Sequence, residues 1–96
     1  MENNESMGRC WGYNKDGSTF TYNLDPKDYN SVIKEFAQLI NHTPDYAIAY
    51  NNRGWAYYMK GEWDLAIVDF EKALQLEPDN AFIKRNLENA KQAKER

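Results

Sequence analysis

From Asp25 onward, apolar residues recur at intervals of three and four, which is the spacing of one face of an α-helix. Proline or glycine interrupts this pattern at regular distances, so that four separate helical segments are predicted. The chain therefore predicts a mainly α fold, a short antiparallel stack of about four helices. The predicted helices cover residues 27–42, 44–59, 62–76 and 81–94.

Start and stop signals agree with these segments. Asp25-Pro26 supplies an N-cap and a proline suited to the first helical position, and Thr43-Pro44 repeats that signal for the second helix. Lys60-Gly61 is expected to end the second helix, and Pro78 to end the third, because proline cannot continue the hydrogen-bond ladder. The inner face predicted for the third helix consists of Leu65, Ala66, Phe70, Ala73 and Leu74.

The segment 1–24 has a different pattern and is predicted to form a unit separate from the helical domain of residues 25–96. Residues 1–9 are a polar leader, and residues 10–24 alternate aromatic with small or polar side chains, which indicates strands. A hairpin closed at Asp16-Gly17 would pair Tyr13 with Phe20 and Trp11 with Tyr22. An irregular segment with a few anchored aromatic residues is the other interpretation.

Part of the helical pattern recurs along the chain at one fixed offset, the distance in sequence from Ile33 to Ile67. Such a period is typical of stacked helical repeats, which work mainly as binding surfaces. The pairs of residues identical at this offset include Ile33/Ile67, Phe36/Phe70, Pro44/Pro78, Asp45/Asp79, Ala47/Ala81, Asn52/Asn86 and Ala56/Ala90.

Residues 47–80 resemble a tetratricopeptide repeat. The resemblance rests on Tyr50, Gly54, Tyr57, Ala66, Phe70, Ala73 and Pro78, which stand where the family has an aromatic residue, glycine, tyrosine, alanine, phenylalanine, alanine and proline. Arg53 departs from the pattern, since the family has leucine there. Residues 27–44 match the second helix of a preceding repeat. Residues 81–94 match the first helix of a following one, with Glu88 and Lys91 in place of glycine and tyrosine, as expected of a polar terminal helix.

The resemblance implies a non-catalytic adaptor or scaffold that binds a peptide or a partner helix in a concave groove. The groove residues implied by the family pattern are Ile48, Asn51, Asn52, Trp55, Tyr58, Met59, Phe82, Arg85, Asn86 and Asn89. For some of them a packing role is the alternative: Trp55 against a neighbour, Met59 in the core, and Asn52 and Asn86 against the adjacent helix.

Some members of the family bind the C-terminal carboxylate of chaperones through a clamp of lysine, asparagine and arginine. In this sequence the first two clamp positions hold Asn51 and Trp55, where the clamp requires lysine and asparagine. No third repeat is available to complete it. Binding of a chaperone tail by that mechanism is therefore not expected.

The composition argues against several classes of function. The net charge of −3 gives no general attraction to nucleic acid or to anionic membranes. The lone His42 and Cys10 lack partners at catalytic or metal-ligand spacing, so we expect no enzyme activity, cofactor or metal. The carboxylates of the third helix, Asp69 among them, are interpreted as its solvated face. A single cysteine and the absence of an apolar leader favour a cytoplasmic location.

Two alternatives to the adaptor function remain open from the sequence. The first is self-association, a homodimer formed through the exposed face of helix 27–42 or through the aromatic N-terminal segment, because a short stack leaves its first helix uncovered. We expect the aromatic N-terminal segment to cover the exposed face of helix 27–42, and self-association through that face is the other solution. The second alternative is a regulatory part of a larger protein.

Overall fold

The computed structural model describes the backbone of residues 12–13, 19–20 and 26–96, and the side chains from residue 28 onward. Its four helices form an antiparallel stack in which each packs on the next along the chain. The mainly α stack expected from the periodicity is thereby confirmed. The elements are β1 (Gly12–Tyr13), β2 (Thr19–Phe20), α1 (Pro26–His42), α2 (Ala47–Lys60), α3 (Trp63–Leu76) and α4 (Ala81–Glu95).

Helix α2 begins at Ala47, later than the Thr43-Pro44 signal predicts. The backbone N–H of Thr43 donates to the Leu39 carbonyl at 2.8 Å, so Thr43 closes α1. The N–H of Tyr46 then donates to the Thr43 carbonyl at 3.1 Å and completes a turn. Pro44 lies inside this turn, where its fixed φ is equally well accommodated.

The same turn recurs one repeat later in the chain. The N–H of Glu77 donates to the Ala73 carbonyl at 2.9 Å, and the N–H of Asn80 donates to the Glu77 carbonyl at 3.1 Å. Asn80 then caps α4, because its Oδ1 accepts a hydrogen bond from the Ile83 N–H at 3.1 Å. The period of the sequence is therefore also a period of the backbone, in its turns as well as in its helices.

A left-handed residue separates α2 from α3. Gly61 has a φ of 85°, and its N–H donates to the Tyr58 carbonyl at 3.0 Å. Glycine adopts this conformation without the steric cost that a Cβ imposes. The predicted break at Lys60-Gly61 is confirmed, and it turns α3 back along α2.

The core lies between α2 and its neighbours. On α3 the alanines Ala66 and Ala73 and the ring of Phe70 are fully buried, as the predicted inner face requires. The prediction is wrong for Leu65, which is 45% exposed. Leu65 is next to Ala66 in the chain, and a rotation of about 100° per residue moves it off the inner face.

The closest approach of α2 and α3 occurs at Gly54. A Cβ placed on Gly54 would lie 2.8 Å from Cε1 of Phe70 and 3.2 Å from the carbonyl oxygen of Ala66. Because the Phe70 ring is fully buried, it has little room to move away. Only glycine permits this separation of the two helices.

We expect Gly54→Ala to destabilise the fold by about 1–3 kcal/mol, although alanine favours helix more than glycine does. Ser31→Ala, at an exposed site of α1, is the control and should change stability little. Chemical denaturation measures both. Phe70→Leu in the Gly54→Ala background should recover part of the loss, and strictly additive losses would contradict the proposed clash.

Arg53 and Asp69 form an ion pair between α2 and α3. Nε and Nη2 of Arg53 donate to the two carboxylate oxygens of Asp69, each at 2.8 Å, and the Asp69 side chain is only 3% exposed. The Arg53 guanidinium also lies 5.9 Å from the ring centroids of Tyr50 and Tyr57. The interpretation of Asp69 as a solvated carboxylate was wrong, because α2 supplies a cation to it.

The electrostatics of this pair combine two opposing effects. Burial raises the pKa of the Asp69 carboxyl above its usual value, while the hydrogen bonds from Arg53 act in the other direction. The hydrogen bond to Asp69 also raises the pKa of Arg53. A pair of this kind stabilises the fold little against a well-packed apolar pair, yet the loss of one partner leaves a buried charge uncompensated.

We therefore expect Arg53→Leu, which restores the residue typical of the family, to destabilise the protein by about 3 kcal/mol. The double variant Arg53→Leu/Asp69→Leu should be clearly more stable than Arg53→Leu alone. Denaturant titration of wild type, both single variants and the double variant gives the coupling energy. A coupling below about 0.5 kcal/mol would show that the two side chains act independently.

The two short strands pair antiparallel, as a hairpin requires, but the predicted register was wrong by one residue. Tyr13 pairs with Thr19 and Gly12 with Phe20, instead of Tyr13 with Phe20. Strands as short as these have too few ladder bonds to fix the register firmly. The polar leader, Cys10, the Asp16-Gly17 turn and the Trp11–Tyr22 pair lie outside the described residues.

Strand β1 packs against α2. Within the described part of the chain, neither strand approaches α1. The expectation that the N-terminal segment covers the free face of the first helix is thus not met by its two strands.

Candidate protein-binding groove

The ten residues implied by the repeat pattern lie on α2 and α4, the two helices that correspond to the first helix of a repeat. The structure divides them by exposure into three groups. Asn51, Asn52, Trp55 and Asn86 are buried; Ile48, Tyr58, Met59 and Asn89 are partly buried; Phe82 and Arg85 are exposed.

Three of the buried residues form a chain of side-chain amides between α2 and α4. Nδ2 of Asn86 donates to Oδ1 of Asn51 at 2.8 Å, and Nδ2 of Asn51 donates to Oδ1 of Asn52 at 3.1 Å. A buried amide is costly unless it is hydrogen-bonded, so this chain fixes the position of α4 relative to α2. The alternative that these asparagines bond the adjacent helix gains support for Asn86, while the hydrogen bond to Asn52 comes from Asn51 of the same helix.

Trp55 is fully buried and contacts α1. Its ring lies edge to face with that of Tyr29, with 5.7 Å between the ring centroids. Tyr29 is itself only 4% exposed. This aromatic pair belongs to the core between α1 and α2, which favours the packing role of Trp55.

Trp55→Ala should therefore cost about 3–5 kcal/mol of stability, as expected for the loss of a large buried side chain. Phe82→Ala is the matched control: this residue has the same implied groove role but is 51% exposed, so its loss should change stability little. Thermal and denaturant unfolding compare the two. A fold that tolerates Trp55→Ala as well as Phe82→Ala would contradict the packing role of Trp55.

The accessible part of the candidate groove lies on the N-terminal part of α4. Phe82 exposes half of its ring, and Arg85 stands at the i+3 position from it, which places both on the same side of the helix. Asn89 extends this row by one turn and is partly buried. An aromatic face next to a guanidinium can hold an apolar side chain together with a carboxylate or a backbone carbonyl.

The described residues contain no group of three or more histidine, cysteine or acidic side chains able to hold a metal ion. His42 is exposed at the end of α1. None of the described helices combines the length and the apolar character needed to cross a lipid bilayer.

A family model for the tetratricopeptide repeat matches residues 47–80, which are the helices α2 and α3 and the turns around them. Residues 47–80 of this chain are a tetratricopeptide repeat. Tetratricopeptide repeats typically mediate protein–protein interactions.

Longer proteins of the family share this region. The chain is 34% identical over 67 residues to the small glutamine-rich tetratricopeptide repeat-containing protein 2 of Saccharomyces cerevisiae, which covers 68% of this chain and 19% of that protein. It is 35% identical over 52 residues to Hsp70-Hsp90 organizing protein 2 of Arabidopsis thaliana (54% of this chain, 9% of that protein). It is 41% identical over 49 residues to tetratricopeptide repeat protein 36 of Bos taurus (51% and 26%). The chain thus spans between 9% and 26% of the length of these relatives.

Proposed function

We propose that this tetratricopeptide repeat chain is a non-catalytic adaptor that binds a peptide or a partner helix on the face formed by α2 and α4. The observation that carries the proposal is the exposed row of Phe82 and Arg85 beside the buried asparagine chain. A half-exposed phenylalanine keeps apolar surface in water until a partner covers it. Aromatic and arginine side chains dominate the energy of many protein interfaces.

The buried residues contribute rigidity to this proposed site. Because Asn51 and Asn86 are hydrogen-bonded to each other, the backbone of α4 is held at a fixed distance from α2. A partner then meets Phe82 and Arg85 in positions that need little rearrangement, which lowers the entropic cost of binding. Ile48, Tyr58 and Met59 are partly buried on α2 and pack against the core, so they support the proposed site from below.

A clamp for C-terminal carboxylates is not part of the proposal, although one relative is named an Hsp70-Hsp90 organizing protein. Two clamp positions hold Asn51 and Trp55, and both side chains are fully buried. Neither can supply the cation that an acidic tail requires. Recognition of an internal segment or of a helix fits this face better, and the cytoplasm is the location we propose.

Pull-down from a lysate of the source organism, quantified by mass spectrometry, tests the proposal. The baits are wild type, the double variant Phe82→Ala/Arg85→Glu, and the control Val68→Ala/Lys72→Glu on the exposed side of α3. We expect a partner that the control retains and the Phe82/Arg85 variant loses by about tenfold or more, since truncation of one hot-spot residue costs about 2 kcal/mol.

Circular dichroism of the three baits confirms that all of them are folded. Equal capture by the three would place the binding surface elsewhere. A synthetic peptide with an acidic C-terminal tail serves as a second probe and should show no saturable binding. Saturable binding that requires the free carboxylate would contradict the argument against a clamp.

A further inference from the structure

Helix α1 corresponds to α3 at the repeat offset. Helix α3 is preceded in the chain by α2, which packs against it, whereas among the described residues no helix precedes α1. On α3, the residues that face α2 are Ala66, Phe70 and Ala73, and all three are fully buried. Their counterparts on α1 are Val32, Phe36 and Leu39. Phe36 is only partly buried and Leu39 is 36% exposed, whereas Val32 is partly buried because one side of it packs against the core of Tyr29 and Trp55.

The contact between α2 and α3 thus indicates which kind of secondary-structure element could pack on the face of α1 that carries Phe36 and Leu39. In the complete repeat the facing element is an antiparallel helix with glycine at its closest approach. Val32 and Leu39 are larger than the alanines they correspond to, so a helix docked on α1 needs small residues along the contact. Neither described strand approaches this face, because β1 packs on α2.

A second copy of the chain cannot complete the repeat with its own α4. In α4 the residue that corresponds to Gly54 is Glu88. A Cβ alone at Gly54 would lie 2.8 Å from the Phe70 ring, so a glutamate in the equivalent place against Phe36 is excluded at that distance. Lys91, which corresponds to Tyr57, adds a second charge to the same face. Head-to-tail stacking of copies is therefore blocked.

Charge also disfavours a symmetric pairing of two α1 helices. Asp28 and Glu35 are exposed and lie at helical spacing beside Val32 and Leu39. A two-fold pairing through this face would bring the acidic borders of both copies together. Glu35 corresponds to Asp69, whose partner in the complete repeat is Arg53, the residue directly before Gly54.

We infer that the face of α1 formed by Val32, Glu35, Phe36 and Leu39 binds an amphipathic helix of a protein partner. That helix carries a small residue opposite Phe36 and an arginine or lysine one position earlier, which pairs with Glu35. This surface lies on α1, while the proposed groove lies on α2 and α4, so the two are independent. The chain would bind two protein segments at once.

The test uses the full chain and a labelled peptide of residues 46–61 of this protein, because it contains the Arg53-Gly54 pair that faces α3 in the fold. Fluorescence anisotropy should show saturable binding that Leu39→Glu abolishes. Glu35→Arg should weaken binding of this peptide about tenfold. A peptide with Arg53→Glu should bind the Glu35→Arg protein better than it binds wild type.

The matched control is Glu71→Arg, which makes the same charge change at an exposed position of α3, and this variant should bind the peptide like wild type. The Phe82→Ala/Arg85→Glu variant should also retain the peptide, which separates this inference from the proposed groove. Absence of saturable binding up to about 1 mM, or binding unchanged by Leu39→Glu and by the charge exchange, would overturn the inference. So would a concentration-dependent dimer in sedimentation that Leu39→Glu abolishes, since a second copy would then occupy the face.

Discussion

The fold depends on the contact between the backbone of Gly54 and the ring of Phe70. Because no side chain separates them, α2 and α3 approach until the Arg53 guanidinium reaches both oxygens of Asp69 at 2.8 Å. With a wider separation of the helices, that carboxylate would be buried without a cation, which is among the most costly arrangements in a protein interior. The ion pair can therefore form only if α2 and α3 pack as closely as Gly54 allows. Arginine is tolerated at a position where the family has leucine because of this contact.

The backbone geometry is the same in successive repeats, but several side chains on α1 and α4 differ from those at equivalent positions of the complete repeat. Both inter-repeat turns use the same hydrogen bonds, and α2 and α4 begin at equivalent positions of the repeat, Ala47 and Ala81. The side chains at equivalent positions then decide which surfaces accept another element. On α4, a glutamate in the place of glycine prevents another helix from packing closely. On α1, Phe36 and Leu39 form an apolar surface that is partly exposed. Among the described helices, the two outer ones therefore differ: α4 presents a polar face and α1 a partly apolar one.

The sequence predicted the helices well, since their period, their turns and Gly61 depend on local interactions. It did not predict the environment of Asp69, because a carboxylate on a helix surface has the same periodicity whether it faces water or an arginine from another helix. The hairpin register was missed because two paired residues per strand constrain it weakly. For the groove, the family pattern identified positions on the two helices that begin a repeat. It could not show that Trp55 is covered by Tyr29, since that depends on the particular residues of α1.

Some of the predicted groove residues are buried and others are exposed. Binding of a partner is therefore coupled to the stability of α4. The side chains able to meet a partner directly are on α4, the last helix, which packs mainly on α3 through Ile83 and Ala90. Among the described helices, α4 has α3 as its main neighbour and is joined to α2 by the Asn86–Asn51 hydrogen bond, so it opens more easily than α2, which lies between α1 and α3. A partner held by Phe82 and Arg85 binds only the state in which α4 is docked and the Asn86–Asn51 hydrogen bond is formed. Binding must therefore stabilise α4 by mass action, and any change that loosens α4 must weaken binding even if it leaves Phe82 and Arg85 intact.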